Sequence, residues 1–362
     1  MNLDLGGDFL NLLAPEYPEI LVRRYRLLRK IYYAAPIGRR TLAAYFLVGE
    51  RMLRGEVAVL REQGLLTVDS RGISLTSFGE TVLLAVTPYL KSFLGLTVME
   101  EKLLKLLKVK RVIVVPGDLE NDEVVLLEMG RAAARVLREC LVEGMVLAVS
   151  GGTSCAAVAD MLPVAPGPPG IVVVPARGGL GEVADYQANT IAVQVAQKMN
   201  ARYRQLYLPD SLSQATLQVL LQEKEIKEVI ALINSARVLL HGIGTAEEMA
   251  RFRGAGRAEM ERLARLGAVG EVFGDFYNCR GEIVERIPSL GFYLEELVKK
   301  VHNVIVVAGG KRKARAIVAV AGNHSRDLLV LDEGAAKEIL GLYSAGENSI
   351  FSPTGPFPLP EV

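Results

Sequence analysis

The stretch VLAVSGGTSCAAVAD, residues 146–160, decides the fold predicted for most of this chain. A run of apolar residues stops at Gly151 and Gly152, and Thr153 and Ser154 then open a segment with helical periodicity. Glycines let the backbone approach an anion, and the free N–H groups and dipole of a helix start favour negative charge. The stretch therefore predicts a strand, an anion-binding loop and a helix, although a plain turn with Thr153 as helix cap would have the same sequence.

The alternation of strand-like and helix-like segments continues from Arg111 almost to the end of the chain. Short continuous runs of Val, Ile and Leu are typical of parallel strands covered on both faces. The pattern predicts a doubly wound, Rossmann-like α/β domain over residues 108–343, with a hairpin-like stretch at 270–290. Strands are predicted at 111–116, 146–150, 171–176, 205–209, 238–244, 303–310 and 328–333, and helices at 122–141, 153–162, 187–200, 213–233, 245–266, 293–301, 311–320 and 334–342.

The N-terminal part of the chain has a different pattern. Three segments with helical spacing are followed by two short β-like runs around Arg71, which is a hairpin signal. This order of elements is that of a winged helix-turn-helix. The predicted parts of the chain are therefore a winged helix-turn-helix domain at 1–76, a connecting and oligomerisation helix at 77–107, the α/β domain, and a loosely held tail at 344–362.

Basic residues are concentrated near the N-terminus. Between Pro18 and Glu62 there are ten Arg and Lys residues and four acids, a local charge of +6 in a chain of formal net charge +1. Such asymmetry is typical of a nucleic-acid-binding end on a neutral to acidic body, although a solvated basic helix face has the same composition. The second helix of a helix-turn-helix brings its N-terminal part to the base edges of the major groove. The predicted contacts to double-stranded operator DNA are Glu50, Arg51 and Arg54 on that helix, Arg39 and Arg40 at the start of the preceding helix, and Arg71 in the wing.

Three further strand ends carry glycine-containing loops. Arg177 and two glycines follow one strand, the loop 242–244 follows another, and a glycine pair leads into Lys311. Ligands of open α/β sheets bind where the carboxyl ends of the strands meet, and a cation at a helix start is unfavourable without an anionic partner. One cluster at Gly152–Ser154 and a second around Arg253 and Lys311 predict two phosphates on one sugar.

Other polar side chains near these loops have two interpretations each. Gln187 could donate to a sugar hydroxyl or cap the helix that follows, and Glu271 could accept from sugar hydroxyls or lie on the surface of a hairpin. Lys311 could likewise be a solvated surface lysine.

Composition disfavours several other classes of protein. Cys140, Cys155 and Cys279 are widely spaced, and there is no CxxC or Cys/His cluster, so neither a disulfide framework nor a metal site is predicted. No uninterrupted apolar stretch reaches about 18 residues, and the N-terminus lacks the basic region of a signal peptide. We expect a cytoplasmic protein that has no cofactor and makes no membrane contact.

Six stretches resemble the central glycolytic genes regulator family, within the broader SorC/DeoR-like sugar-responsive regulators. They are RGEVAVLREQGLL, VSGGTS, VPARGGLGEVADYQANTIA, LLHGIGTAEEMARFR, GAVGEVFGDFYN and VAGGKRKARAI, and they occur in order over nearly the whole chain. The resemblance implies a winged helix and an effector domain related in fold to sugar-phosphate isomerases and glucosamine-phosphate deaminases. It further implies a repressor of a glycolytic operon whose effector is fructose 1,6-bisphosphate, and we expect a homodimer or homotetramer.

The resemblance also assigns effector contacts to matching positions. Ser154 stands where Thr would be usual, which keeps the hydroxyl donor, and Phe252 stands beside Arg253 where a second basic residue is expected, so Arg251 is a substitute candidate. The implied contacts are Gly151, Gly152, Thr153, Ser154, Arg177, Gln187, Arg253, Glu271 and Lys311.

An enzyme with this fold would need acid–base groups over the sugar ring. In the deaminases the loop that resembles 242–244 continues into Asp-Gly-His, whereas here it continues as GIGTAEEMA. His241, His302 and His324 form no catalytic set with it. The sequence therefore predicts a sensor and not an enzyme. The alternatives are a regulator with a different sugar-phosphate effector and, less favoured, a sugar-phosphate isomerase or deaminase.

Overall fold

The computed structural model describes residues 16–181, 183–210, 212–287, 294–321 and 326–344. Contacts divide the chain into two compact units, one ending at Thr97 and the other beginning at Val98. Apart from Ser344, the predicted tail lies outside the described residues, as does His324.

The first unit has the predicted winged helix-turn-helix order. Helix α3 places Leu53, Val57 and Leu60 on one face, spaced i, i+4 and i+7, and this face packs into a core with Leu42 and Ile73. The opposite face of α3 is left to solvent. The elements are α1 Tyr17–Ala34, α2 Arg39–Tyr45, α3 Glu50–Glu62, β1 Leu66–Val68, β2 Ile73–Leu75 and α4 Ser77–Phe93.

The predicted single helix over 77–107 is two helices in the structure. Helix α4 ends before Leu94 and Gly95, and α5 spans Leu96–Leu107. Gly95 has a φ of +69°, a left-handed conformation that glycine adopts without strain and that commonly ends a helix. In the described part of the chain no single helix has the length and apolar character needed to cross a membrane, and α4 and α5 meet that criterion only as a broken pair.

A seven-stranded parallel sheet forms the centre of the second unit, in the order β3-β13-β12-β7-β4-β5-β6. Its middle strands are the predicted Val- and Leu-rich runs, and residues such as Leu240 and Val307 are fully buried. The chain moves outward from β4 to β6 and then returns to β7 on the other side of β4, which makes the β4–β7 boundary the topological switch point. The strands are β3 Arg111–Val115, β4 Val146–Val149, β5 Val172–Pro175, β6 Arg202–Tyr203, β7 Val238–Gly242, β12 Asn303–Val307 and β13 Asp327–Asp332.

A smaller antiparallel sheet, in the order β11-β10-β9-β8, lies beside the parallel one. It confirms the hairpin-like character of 270–290 as far as residue 287, where the described segment ends. Gly270 allows β9 to pack on α14, because a Cβ atom there would stand 3.1 Å from the Cα of Ala316. The strands are β8 Gly244–Thr245, β9 Ala268–Val272, β10 Asp275–Asn278 and β11 Ile283–Arg286.

Helices connect these strands, and most agree with the predicted intervals. The predicted helices at 213–233 and 245–266 are each divided in two, the second of them at Gly254, which has a φ of +77°. The helices are α6 Val124–Cys140, α7 Thr153–Met161, α8 Ala188–Met199, α9 Gln214–Leu220, α10 Lys224–Asn234, α11 Ala246–Phe252, α12 Arg257–Arg265, α13 Leu294–Lys300, α14 Ala314–Ala321 and α15 Glu333–Ser344, with 3₁₀ turns at Ala184–Tyr186 and Lys311–Lys313.

The strand predicted at 205–209 is wrong. The sixth strand of the sheet is β6, and beyond it only an isolated bridge joins Pro209 to Gly179. Proline has no N–H to donate to a ladder. In addition, the side-chain amide of Asn189 takes both backbone groups of Leu206, at 2.9 Å each. The segment therefore runs along the sheet edge without joining it.

Candidate functional site

A cavity of about 250 Å³ lies at the carboxyl ends of the parallel strands, at the switch point. Loops after β4, β5, β7 and β12 line it, and β9 of the small sheet closes one side. Seven of the predicted effector residues line the cavity: Gly151, Gly152, Thr153, Ser154, Arg177, Gln187 and Glu271.

The glycine loop opens helix α7 onto this cavity. A Cβ atom on Gly151 would stand 2.6 Å from the carbonyl oxygen of Tyr186, and Gly152 has a φ of +105°, so both positions favour glycine. Backbone hydrogen bonding into α7 begins at its fourth residue, which donates to Gly152 at 3.0 Å. Within the described residues, the N–H groups of Thr153 and Ser154 are therefore left for a ligand. With the two hydroxyls and the helix dipole they form a helix start whose chemistry favours an anion.

Two arginines and two carboxylates form a buried ion network at the cavity wall. Arg177 donates from Nε and Nη2 to both oxygens of Asp210, at 3.0 and 2.5 Å. Arg253 donates from Nη1 to Asp210 at 3.0 Å and from Nη2 to Glu271 at 2.9 Å. Burial alone would raise the pKa of Asp210, but the charges and hydrogen bonds of Arg177 and Arg253 hold it below its ordinary value. These four side chains balance each other in charge. Arg177 and Glu271 line the cavity, whereas Asp210 and Arg253 lie outside its lining.

Glu271 also shapes the turn between β9 and β10. Its Oε1 accepts from the N–H of Gly274 at 2.6 Å, and this bond closes a turn in which Phe273 and Gly274 have positive φ values of 56° and 87°. Among the described residues, Oε2 of Glu271 makes no hydrogen bond. That oxygen can accept from a hydroxyl, so the predicted contact with a sugar stays a prediction with suitable geometry.

Gln187 is engaged with its own loop. Its Oε1 accepts from the N–H of Leu180 at 3.0 Å, and its Nε2 donates to the oxygens of Leu180 and Gly181 at 2.7 and 3.0 Å. Both ends of the amide therefore hold the segment that follows Arg177. The predicted hydrogen bond to a sugar hydroxyl would have to replace one of these bonds.

The lysine that lines the cavity is Lys313, whereas Lys311 lies outside the lining. The Nζ atom of Lys311 lies 2.8 Å from Oδ2 of Asp118. Lys313 has no ion-pair or hydrogen-bond partner in the part of the chain that the structure describes. Burial lowers the pKa of Lys313, and the nearby Glu248 carboxylate opposes part of that effect. Lys313 is therefore a cation available to an anionic ligand.

Two further residues considered from the sequence are also outside the cavity lining. Arg251 pairs with Glu247 at 2.6 Å on the outer face of α11. His241 is 1% exposed on β7, with its Nδ1 atom 2.9 Å from the carbonyl oxygen of Gly242. Among the described residues, neither a basic residue of α11 nor a histidine lines the cavity.

The exposed face of α3 carries the predicted DNA-contacting residues. Arg51 and Arg54 lie three residues apart on α3 and are exposed, as is Arg39 at the start of α2. None of the three has an ion-pair partner within residues 16–97. Arg40 and Glu50 are also exposed and lie 3.6 Å apart, from Nε to Oε1. In a helix-turn-helix the start of the second helix is the part that meets base edges, so the predicted DNA contacts of these arginines stay a prediction with suitable exposure.

The wing is a short hairpin with Arg71 at its tip. Oδ1 of Asp69 accepts from the N–H groups of Arg71 and Gly72, at 2.8 and 3.1 Å. The Arg71 guanidinium folds back on the same carboxylate, with Nη2 at 3.0 Å. Because both groups are exposed, this pair is weak and leaves Arg71 able to reach a phosphate.

Part of the basic charge counted near the N-terminus is internal. Arg23 and Arg24 of α1 donate to Glu56 at 2.7 and 2.8 Å, and Arg29 and Lys30 are 1% and 7% exposed. Burial would raise the pKa of Glu56, but Arg24 and Arg23 hold it below its ordinary value. These four cations are therefore paired or buried within the domain, which leaves Arg26 of α1 and the arginines of α2 and α3 as the outward-facing basic residues.

Sequence reasoning missed two important residues of the site. Lys313 is the third residue of the Lys-Arg-Lys turn, and only the turn geometry shows which lysine lines the cavity. Asp210 directly follows the predicted strand at 205–209, and no local pattern marks it as the partner of Arg177 and Arg253. A lone Asp more than 30 residues from its partners carries no spacing signal.

Comparisons with known proteins agree with these two units. A model described as the CggR N-terminal DNA binding domain matches residues 20–90, and one described as a putative sugar-binding domain matches residues 91–341. The chain is 40% identical to a central glycolytic genes regulator of Priestia megaterium, over 91% of this chain and 96% of that protein. It is 39% identical to the protein of the same name from Bacillus subtilis, over 91% and 96%.

Solved structures show the same relationship. A putative SorC family transcriptional regulator from Enterococcus faecalis is 38% identical and has a TM-score of 0.62, over 67% of this chain and 99% of that one. The full-length sorbitol operon regulator of Klebsiella pneumoniae shares the fold at 18% identity, with a TM-score of 0.60 over 89% of this chain and 99% of that one. The sugar-binding family model matches more than half of this chain, and two curated relatives align with it almost end to end. The chain therefore belongs to the central glycolytic genes regulator family of DNA-binding, sugar-binding transcriptional regulators.

Proposed function

We propose that this regulator is a repressor whose affinity for its operator is controlled by fructose 1,6-bisphosphate in the cavity of the second unit. The observation that carries the proposal is the pairing of an open helix start at Thr153 with the unpartnered ammonium of Lys313 on one cavity. A phosphate is the ligand that such a combination favours. Glu271 supplies an acceptor for a sugar hydroxyl in the same space.

A different sugar phosphate, carrying one phosphate, is the second candidate. The observation in its favour is that Asp210 and Glu271 already neutralise Arg177 and Arg253. A second phosphate would have to share these arginines with their carboxylates. A single phosphate at α7 and Lys313 would leave the network as it is.

Control of DNA binding requires two arrangements of the protein that differ in effector affinity. We propose that these are arrangements of subunits in a homodimer or homotetramer bound to double-stranded operator half-sites. Each of the helices α4 and α5 carries several large apolar side chains that are exposed, which supports a subunit contact on either helix. These side chains are Phe78, Leu84, Tyr89, Val98, Leu104 and Leu106.

The test is thermal unfolding of the full chain against a panel of sugar phosphates, with each sample analysed for product. A native-state ligand at about 100 times its Kd adds about 2.7 kcal/mol of stability. We expect fructose 1,6-bisphosphate to raise the Tm most, with no turnover. A larger shift with a monophosphate would favour the second candidate, and product formation would overturn the sensor assignment.

Arg54→Ala is expected to weaken operator binding by about 10-fold, because a recognition-helix arginine that reads a base contributes about that much. Effector-induced stabilisation should not change. Arg61→Ala, at the other end of α3, is the matched control and should have a smaller effect. Fluorescence anisotropy with labelled operator DNA measures both. Equal losses for the two variants would mean that α3 acts only through its overall charge.

Thr153→Ala is expected to weaken effector binding and to leave operator binding unchanged. Loss of the hydroxyl at the start of α7 removes one charge-assisted hydrogen bond, and we expect effector affinity to fall about 10-fold. Operator binding without effector should remain as in the unmodified protein. An unchanged effector response would show that the phosphate does not bind at this helix start.

A further inference from the structure

We propose that Lys311 does not touch the effector but positions Lys313, through an ion pair that fixes the Lys311–Lys313 turn to the loop at residues 117–120. The proposal deepens the proposed function, since it concerns how the same cavity obtains its free cation. Asp118, Glu120 and Asp332, which no sequence pattern pointed to, are then positioning residues of the effector site.

Two side chains of the turn are held by the neighbouring loop. Lys311 Nζ lies 2.8 Å from Asp118 Oδ2. Glu120 Oε1 accepts from the backbone N–H of Arg312 at 2.9 Å and from its Nε at 3.3 Å. The first two residues of the turn are thus held at the 117–120 loop, and the Arg312 guanidinium also lies 3.9 Å from Glu248, from Nη1 to Oε1.

A buried carboxylate fixes the base of the same turn. Asp332, at the end of β13, is fully buried. Its Oδ1 accepts from the N–H of Gly310 at 2.9 Å, and its Oδ2 accepts from the N–H of Leu119 at 2.8 Å. One carboxylate therefore joins the turn and the loop, and Gly310, with a φ of +92°, starts the turn in a conformation suited to glycine.

The geometry of a 3₁₀ turn explains why Lys313 lines the cavity and Lys311 does not. Side chains are eclipsed only every third residue, so Lys311 and Lys313 point in different directions. With Lys311 and Arg312 held on the loop side, Lys313 is directed into the cavity, where it has no partner among the described residues. A lysine already paired at 2.8 Å is a poor phosphate ligand, while its unpaired neighbour is a good one.

The test is a double-mutant cycle on the full-length protein, with fructose 1,6-bisphosphate binding measured by calorimetry. We expect Lys311→Met and Asp118→Asn each to weaken binding about 3- to 10-fold, and the double variant to be no weaker than either single one. The exchanged pair, K311D with D118K, should recover most of the affinity. Lys224→Met, on the surface of α10, is the control and should bind as the unmodified protein does.

A direct contact between Lys311 and phosphate gives the opposite result. Lys311→Met would then lose as much affinity as Lys313→Met, and Asp118→Asn would bind as well as before or more tightly. That pattern overturns the proposal. It leaves the proposed function standing, because the function fails only if the unmodified protein does not bind the bisphosphate.

A second measurement needs no effector. The pH profile of acetylation of Lys313, followed by mass spectrometry, reports its surroundings, which include Glu248, Arg312 and Cys155. We expect Lys311→Met and Asp118→Asn to move this profile toward that of an exposed lysine, whereas Lys224→Met leaves it unchanged. An unchanged Lys313 profile in both turn variants would overturn the proposal even if the natural effector is another sugar phosphate.

Discussion

Replacing Asp210 with alanine is expected to destabilise the second unit by about 3–5 kcal/mol, because it leaves two buried guanidinium groups with too few anions. Asp210 accepts three hydrogen bonds from Arg177 and Arg253, and its side chain is 1% exposed. Glu271 pairs directly with Arg253 and acts on Arg177 only through space, so it cannot replace the hydrogen bonds of Asp210. Urea unfolding of the full chain, followed by circular dichroism, measures the loss as a lower midpoint at an unchanged slope.

Asp160→Ala is the matched control for this prediction. Asp160 is exposed near the end of α7, and surface substitutions of this kind usually change stability by less than about 0.5 kcal/mol. A loss below about 1 kcal/mol for Asp210→Ala would mean that water or a rearranged carboxylate replaces Asp210, and the rigid network described above would be wrong.

The pH dependence of this stabilisation follows from the direction of the pKa shift. Arg177 and Arg253 hold the pKa of Asp210 below its ordinary value despite burial. A group with a lowered folded-state pKa stabilises the protein above its unfolded pKa and loses that contribution as the pH falls toward the folded value. The difference in the free energy of unfolding between the unmodified protein and Asp210→Ala should therefore be largest at neutral pH and should decrease as the pH falls.

Lys313→Met is expected to raise the Kd for the effector about 30-fold or more. The substitution removes the cation that lines the cavity without an internal partner, and truncating one member of a buried charge pair costs about 2 kcal/mol or more. Methionine keeps most of the side-chain volume, so the cavity should retain its shape. Calorimetric titration with fructose 1,6-bisphosphate measures the change, and operator binding without effector should be unaffected.

Affinity for the effector should also fall at alkaline pH. Phosphate needs the charged ammonium, and burial lowers the pKa of Lys313 from the 10.5 of an ordinary lysine. The loss of affinity should therefore begin at a lower pH than it would for an exposed lysine, and Lys313→Met should abolish it. A Kd that is as pH-dependent in Lys313→Met as in the unmodified protein would assign the effect to another group.

The local pattern of the sequence was sufficient for the winged helix and for most of the parallel sheet. The spacing of apolar residues indicates which side chains are buried, and the glycines at 151 and 152 indicate a backbone in close contact with another group. These signals come from neighbours along the chain. They placed the glycine-loop start of α7, the Arg177 strand end and the exposed arginines of α3 correctly in the fold.

Other features depend on contacts between distant segments. Asp210 meets Arg177 and Arg253 across 33 and 43 residues. The preceding segment, 205–209, is not a strand, because the Asn189 amide takes the backbone groups of Leu206 and Pro209 has no N–H to donate.

By itself, then, the sequence determined the winged-helix and α/β architecture, the glycine loop and a ligand position at the carboxyl ends of the strands, since burial and backbone freedom are recorded residue by residue. Only the tertiary structure decided which charges are available to a ligand. An ion pair depends on where two side chains meet in space, and that is how Lys311 came to be paired and Lys313 left free.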